Sequence, residues 1–339
     1  MNKKILLAVP MLTCILASCV GKKTYPCSSY CIPVQWTKNS DFRILQLSDI
    51  HLSQSDIYDL HYKFMDKTIS DANADLIVLN GDSFTYADKK LVKSLFSFID
   101  SHNIPWTFAY GNHDDQGYFS DAYIQRLLGK NTPFKNVKFV NLEDDDVTGR
   151  SNFAINLYKD NNLKFQVYLL ESHSYNFDTF RYDFIKQNQI DWYKRMIEWT
   201  NKSYLKNDSW KVGDPTIPST MYFHIPLPEF FEAWYWAIEN GVETIGTDEE
   251  FHGGPKPSTD LGFFDVIKEY GSTKAISVAH EHINDSVIDY EGVKLCFGVH
   301  STNRIYFDEN KLGGQVIIIN KDDQSLSTEN IYHKYSEVK

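Results

Sequence analysis

The sequence predicts an α/β protein in which two β-sheets are flanked by helices. Three observations predict it: strand-like and helix-like patterns alternate in the first half, a further set of short strand candidates fills the second half, and the composition is globular. With 339 residues, 42% hydrophobic and 23% charged, the chain is able to bury a large core.

Taken in order, Phe42–Leu47 reads as a buried strand and Leu76–Leu79 as a second. Between them, Leu60, Phe64, Met65 and Ile69 recur at helical spacing within Tyr58–Ala72. The helical pattern Lys90–Ile99 then leads to a third strand around Trp106–Tyr110. Strand–helix–strand–helix–strand order implies parallel strands joined by crossover helices. In the second half, Phe153–Tyr158 and Phe165–Leu170 read as neighbouring strands joined by the turn-like Lys159-Asp160-Asn161-Asn162. A Trp-rich amphipathic helix over Ile190–Asn201 follows, then a strand at Thr220–Phe223 and a helix at Glu229–Glu239. Ala275–Val278, Val287–Tyr290, Val293–Phe297 and Val316–Ile319 complete the strand candidates. Glu243–Pro257, with its glycines and acids, reads as a surface loop or lid.

The two ends bound this domain. Lys3-Lys4 followed by the apolar run Ile5–Leu16 is too short for a membrane span and reads as an export signal over residues 1–18. Residues 19–40 are polar and read as a tether, and one catalytic domain is expected over 41–335. Cys27 and Cys31 lie close enough in sequence for a disulfide, while Cys296 sits in an apolar run as a buried thiol. A net charge of −11 argues against nucleic acid as a partner, which would need a basic face. It does not exclude a small phosphate ester, because bound cations supply local positive charge.

The chemistry-bearing residues gather where strand candidates end. Asp49-Ile50-His51 follows the first strand, Gly81-Asp82 the second, and Gly111-Asn112-His113-Asp114-Asp115 the third. His224 follows Met221-Tyr222-Phe223, and Ala279-His280-Glu281-His282 follows Ile276-Ser277-Val278. Carboxyl ends of parallel strands converge on one rim of a sheet, where α/β proteins place their sites. Imidazole with carboxylate and amide oxygen suits Fe, Zn or Mn, and one carboxylate bridges two cations about 3.5–4 Å apart. Each motif alone is weak; the ordered set is specific.

That ordered set resembles the calcineurin-like metallophosphoesterase superfamily, whose motifs read D-x-H, G-D, G-N-H-[DE], H and G-H-x-H, over roughly residues 41–300. A closer similarity is to the purple-acid-phosphatase-like branch with F-H-I-P-x-P-E and G-H-D-H-x-N-D. It rests on Phe223-His224-Ile225-Pro226-Leu227-Pro228-Glu229, on Ala279-His280-Glu281-His282-Ile283-Asn284-Asp285 and on Lys294–Gly298. The resemblance implies a four-layer αββα fold. It implies that Asp49, His51, Asp82 and His282 bind one metal and that Asp82, Asn112, His224 and His280 bind the other. His113 would face the phosphoryl group, and Asp114 or Asp115 would orient its ring. The implied reaction is in-line attack of a metal-bound hydroxide on a phosphomonoester, with a phosphodiester as the alternative. A surface-binding lipoprotein that keeps the fold without turnover is the reading from another class.

Departures from the pattern carry their own expectations. Thr85 stands where purple acid phosphatases carry a metal-binding Tyr, and Tyr86 comes one residue late, which speaks against an iron–tyrosinate centre. Ala279 replaces the usual Gly, and no Asp-Arg-Gly follows Gly81-Asp82. Leu16-Ala17-Ser18-Cys19 resembles a bacterial lipobox, which implies lipidation of Cys19 and attachment to a cell-envelope membrane; an ordinary cleaved secretory signal is the alternative. His173 reads as structural or as a partner of a ligand, and His252 as a solvated loop residue. Trp192–Trp199 reads as a core stripe, whereas Trp234 and Trp236, beside the His224 motif, are candidates for a substrate wall.

Overall fold

The computed structural model describes residues 23–54, 58–117, 122–250 and 261–338. The signal over 1–18, Cys19 and His252 lie outside the described residues. In chain order the elements begin with β1 (Cys31–Gln35), β2 (Phe42–Leu47), α1 (Tyr58–Ala72), β3 (Leu76–Asn80), α2 (Lys89–Ser101), β4 (Trp106–Ala109) and α3 (Ala122–Leu128). There follow β5 (Phe153–Lys159), β6 (Asn162–Leu169), β7 (Tyr175–Asn176), β8 (Arg181–Tyr182), α4 (Gln187–Tyr204), β9 (Ser219–Tyr222) and α5 (Glu229–Asn240). The chain closes with α6 (Phe263–Tyr270), β10 (Thr273–Val278), β11 (Val287–Tyr290), β12 (Val293–Phe297), β13 (Gly313–Ile319) and β14 (Leu326–Tyr332).

Two mixed sheets result. One has seven strands in the order β1-β5-β6-β9-β10-β12-β11, the other five in the order β14-β13-β2-β3-β4. In the five-stranded sheet β2, β3 and β4 run parallel, and in the other β6, β9, β10 and β12 do. Alternation along the strands builds the layers. Phe153, Ile155 and Leu157 of β5 share a core with Ile44 and Leu45 of β2, whereas Ala154 of β5 packs with Trp192, Tyr193 and Met196 of α4. On α2, buried Leu91, Val92, Leu95, Phe96 and Ile99 form one helical stripe, and Asp88 caps its start by accepting from Leu91 N–H at 2.8 Å. The expected turn between β5 and β6 has Asp160 and Asn161 at φ 51° and 62°, the left-handed pair that a two-residue hairpin needs.

The expected tether over 19–40 departs from the structure from Cys27 on. Cys31–Gln35 is a strand paired parallel to β5, and Val34 and Trp36 are buried. Pro33 sits within it, and an edge position tolerates a residue that has no N–H to donate. Cys27 and Cys31 are free thiols rather than a disulfide, and Cys31 Sγ lies 3.7 Å from the Cys27 carbonyl.

Buried amides tie the two sheets together beneath the site. Gln46 Nε2 on β2 donates to Val278 O on β10 at 2.9 Å, and Gln315 Nε2 on β13 donates to Phe297 O on β12 at 2.7 Å. Asn80 Nδ2, at the end of β3, lies 3.2 Å from both Phe223 O and Ser277 O. Each bond satisfies a polar group that burial would otherwise penalise by about 1–3 kcal/mol. They bring the carboxyl ends of β2, β3, β9 and β10 to one rim.

Candidate metal centre

The loops leaving those strand ends are sharply turned. Asp49, His51, Asp82 and His280 all adopt left-handed backbone conformations, with φ of 51°, 49°, 50° and 77°. Such non-glycine residues cost on the order of 1 kcal/mol each and cluster at functional sites. Two glycines permit the close approach. A Cβ on Gly81 would stand 2.4 Å from His224 Nδ1, and one on Gly111 would stand 2.2 Å from both Asp82 N and Asp82 Oδ1.

The structure brings the sequence-predicted residues into two groups. Asp49, His51 and His282 offer ligand atoms within 4.8 Å of one another, and so do Asp82, His224 and His280. All six are buried. Asp82 joins the groups: its Oδ2 lies 3.1 Å from His224 Nε2 and 3.8 Å from His51 Nε2. Asn112 is buried as well, and its Oδ1 has no hydrogen-bond partner among the described residues; nor has Asp49 Oδ1. Buried oxygens normally find partners, so these two are poised for one that is not a protein group.

Three histidines are anchored from behind, and for two of them the anchor sets the tautomer. His224 donates Nδ1–H to Asn80 O at 3.0 Å, and His282 does so to Tyr306 O at 2.9 Å. His51 Nδ1 meets the Thr85 hydroxyl at 2.8 Å. In the neutral ring this leaves the Nε2 lone pairs of His224 and His282 facing the centre, while the Thr85 hydroxyl, able to donate or to accept, anchors His51 in either tautomer. His51 Nε2 and His282 Nε2 stand 3.1 Å apart, close enough for one cation to take both nitrogens as ligands. The residues present therefore fit a dimetal centre. Thr85 has a use of its own here, while Tyr86 is 59% exposed and does not enter the centre.

Electrostatics follow from this packing. Burial pushes the Asp49 carboxyl up to about 7. Burial acts the same way on Asp82, but His224, with His51 and His113, overrides it and holds that carboxyl well below its ordinary value. Burial would lower His224, yet the Asp82 carboxylate beside it raises it to about 9. Burial holds His51 and His280 well below the ordinary imidazole value and lowers His282 to about 4.

His113 lines the cavity above these groups, its ring 5.1 Å from that of His51. The expectation that Asp114 orients it is corrected. Asp114 is fully buried and its carboxylate accepts from Gly111 N–H at 2.8 Å and Phe84 N–H at 3.1 Å, so it braces two turns. Asp115 Oδ2 lies 3.5 Å from Arg150. The partner of His113 Nδ1 is Gln116 Oε1 at 2.7 Å. A polar side chain three residues on, able to reach back across one turn, was the available signal.

Other expectations resolve as follows. His173 Nε2 bonds Gln189 Oε1 at 2.9 Å, a structural contact away from the cavity. Trp192 is buried in the core. Trp234 and Trp236 do not line the cavity: Trp234 packs on the core beneath α5, and Trp236 packs on Tyr290. Tyr182 and Tyr306 line it instead. The described part of the expected loop or lid, residues 243–250, is tied down, since Asn284 Oδ1 accepts from Glu249 and Glu250 N–H and Asp285 Oδ1 from Thr247 N–H. Sequence reasoning missed His300. It is buried with its ring 4.4 Å from that of His282, and it follows β12 at the same rim, which was the signal for it.

Comparison with known proteins adds the following. The model of the calcineurin-like phosphoesterase family matches residues 42–284. The chain is 28% identical over 313 residues to "Probable inactive purple acid phosphatase 29" of Arabidopsis thaliana, covering 83% of this chain and 77% of that one. It is 27% identical over 305 residues to "Phosphatase DCR2" of Saccharomyces cerevisiae, covering 78% of this chain and 49% of that one. Among solved structures, a dimetal phosphatase from Danio rerio aligns with a TM-score of 0.47 at 10% identity, covering 87% of this chain and all of that one.

Proposed function

The chain belongs to the calcineurin-like phosphoesterase family, and from that premise we propose that it hydrolyses phosphate esters with two bound metal ions, phosphomonoesters in preference to diesters. The observation that carries this reading is the convergence of His51, His224 and His282 through Nε2 on Asp49 and Asp82, each ring anchored from behind at Nδ1. Asp49, His51, Asp82 and His282 would hold one ion, and Asp82, Asn112, His224 and His280 the other, with Asp82 shared. The donor set suits Fe, Zn or Mn. When bound, the ions supply Lewis acidity toward the phosphoryl oxygens and activate the attacking water.

The chain's own residues do the rest. Asp82 Oδ1 accepts from His113 N–H at 2.7 Å, which couples the position of His113 to the bridging carboxylate. Gln116 holds His113 Nδ1, leaving Nε2 for the substrate. From there His113, in its doubly protonated form with one N–H on Gln116 and the other at Nε2, stabilises charge on the phosphoryl group and delivers the Nε2 proton to the departing alkoxide oxygen, which leaves the ring neutral. Export and lipid attachment at Cys19 belong to the same reading, supported by Leu16-Ala17-Ser18-Cys19 after an apolar run.

The test is paired hydrolysis of 4-nitrophenyl phosphate and bis(4-nitrophenyl) phosphate after loading with Fe, Zn or Mn, over pH 5–8. The monoester should be preferred, and no turnover of either ester would overturn the activity. A second reading, a metal-holding fold without turnover, is favoured by the word "inactive" in the Arabidopsis relative's name. It predicts about two metal equivalents with no hydrolysis in the same preparation.

A further inference from the structure

The cavity of about 420 Å³ over the two ligand groups opens onto an apolar surface. Tyr182 packs edge-on against His280, ring centroids 4.5 Å apart. Tyr175 packs edge-on against Tyr182 at 5.3 Å, and Phe177 against Tyr175 at 5.1 Å. These spacings are those of favourable aromatic pairs. They make a continuous wall along the β7–β8 hairpin, from the metal-ligand group to the hairpin tip. There Phe177 and Phe180 are 78% and 77% exposed, more than any other large hydrophobic side chain among the described residues. On the His282 side of the same cavity, Tyr306 stacks on the imidazole at 4.1 Å, flanked by exposed Ile305 and Phe307. An apolar patch continuous with a concave polar site is the signature of a ligand surface.

Charge limits what that ligand is. Apart from the two ligand groups and His113, the ionic side chains lining the cavity are Glu250 and Glu281; among the described residues no Lys or Arg lines it. A second anionic group next to the bound phosphoryl group would lie beside these carboxylates and would find no Lys or Arg to pair with among the described lining residues.

Resting on the phosphoesterase reading above, we infer that the site selects phosphomonoesters whose organic part is a long or bulky apolar group, held between the Tyr182 wall and Tyr306. Esters carrying a second phosphate are poor substrates. The two ligand groups, once loaded, would hold the phosphoryl end that all such esters share, so discrimination resides in the aromatic walls and the two glutamates.

The experiment compares kcat/KM of the metal-loaded protein for ethyl phosphate, n-octyl phosphate and propane-1,3-diyl bisphosphate, by release of inorganic phosphate. The two alkyl esters have leaving groups of nearly equal basicity, so their ratio reads binding of the chain. Burying two of the additional methylenes already gives about tenfold, so the octyl ester should lead by at least that. The double variant Phe177→Ala/Phe180→Ala removes exposed rings without touching the core and should lower the ratio without bringing it to one, because Tyr182 and Tyr306 remain. A wild-type ratio near one, an unchanged ratio in the double variant, or a bisphosphate turned over as well as the octyl ester each overturns the inference. Calorimetric binding of n-octylphosphonate against methylphosphonate separates the two claims. Tighter octyl binding with no turnover of any ester refutes the activity but supports the apolar site. Turnover of all esters at equal efficiency does the reverse.

Discussion

Metal loading should be steeply pH-dependent, with protons released from His224 and Asp49 as the dimetal centre fills at pH 7. The perturbation is pH, applied to the metal-free protein. His224, raised to about 9 by the Asp82 carboxylate 3.1 Å away, is almost fully protonated at pH 7. Asp49, pushed by burial to about 7, is partly protonated there. His51 and His280 are held well below the ordinary value and His282 at about 4, so they are neutral and have no proton to displace. A cation needs a bare Nε2 and a bare carboxylate, so binding expels the His224 proton and the proton that part of the Asp49 population holds. The sign follows: both groups hold their protons below their raised values, and apparent affinity falls as pH falls. The slope is about tenfold per pH unit where His224 alone gives up its proton and steepens at lower pH, where Asp49 holds one as well. The assay is calorimetric titration with Zn or Mn in buffers of different ionisation enthalpy, which counts protons directly. Asp49→Asn should lower the count at pH 7, because it removes one titrating ligand and one of the charges that raise His224. A count near zero, or an affinity that stays flat from pH 6 to 8, would refute the electrostatic argument.

The remaining predictions concern single side chains. Asp82→Ala should abolish binding of both metals, read as metal equivalents per chain, because this carboxylate faces His224 and His51 alike. His113→Ala should keep both metals while kcat falls by about 10²–10⁴, the usual worth of a positioned proton donor; full activity would remove the role assigned to it. Gly111→Ala places a Cβ 2.2 Å from Asp82 N, a backbone atom that no rotamer change relieves. It should cost about 1–3 kcal/mol by chemical denaturation and lower metal content. Asp114→Ala leaves two buried amides, Gly111 N–H and Phe84 N–H, without their acceptor. A loss of about 1–3 kcal/mol is expected, and an unchanged denaturation midpoint would contradict the bracing role.

Much of the fold is legible in the sequence because it is written in local periodicity. The runs from Phe42, Leu76, Phe153 and Val293 are apolar over strand length, and α1 has the bounds that the spacing of Leu60, Phe64, Met65 and Ile69 predicts. Strand β1 escaped notice because Pro33 and polar neighbours hide it, and only pairing with β5 makes it a strand. The same division runs through the site. By itself the sequence placed seven side chains after strands, and residues that terminate parallel strands of one sheet share a rim; only the packing of the two sheets brings the ends of β2, β3 and β4 to those of β9 and β10. The tertiary structure alone decided which partners fix them. Thr85 behind His51, Tyr306 behind His282, Gln116 rather than Asp114 on His113, and Tyr182 rather than the tryptophans as the wall are contacts between segments whose spacing carries no periodic signal. A hydrogen bond or ring contact depends on ångström-scale position, which only the packed core sets.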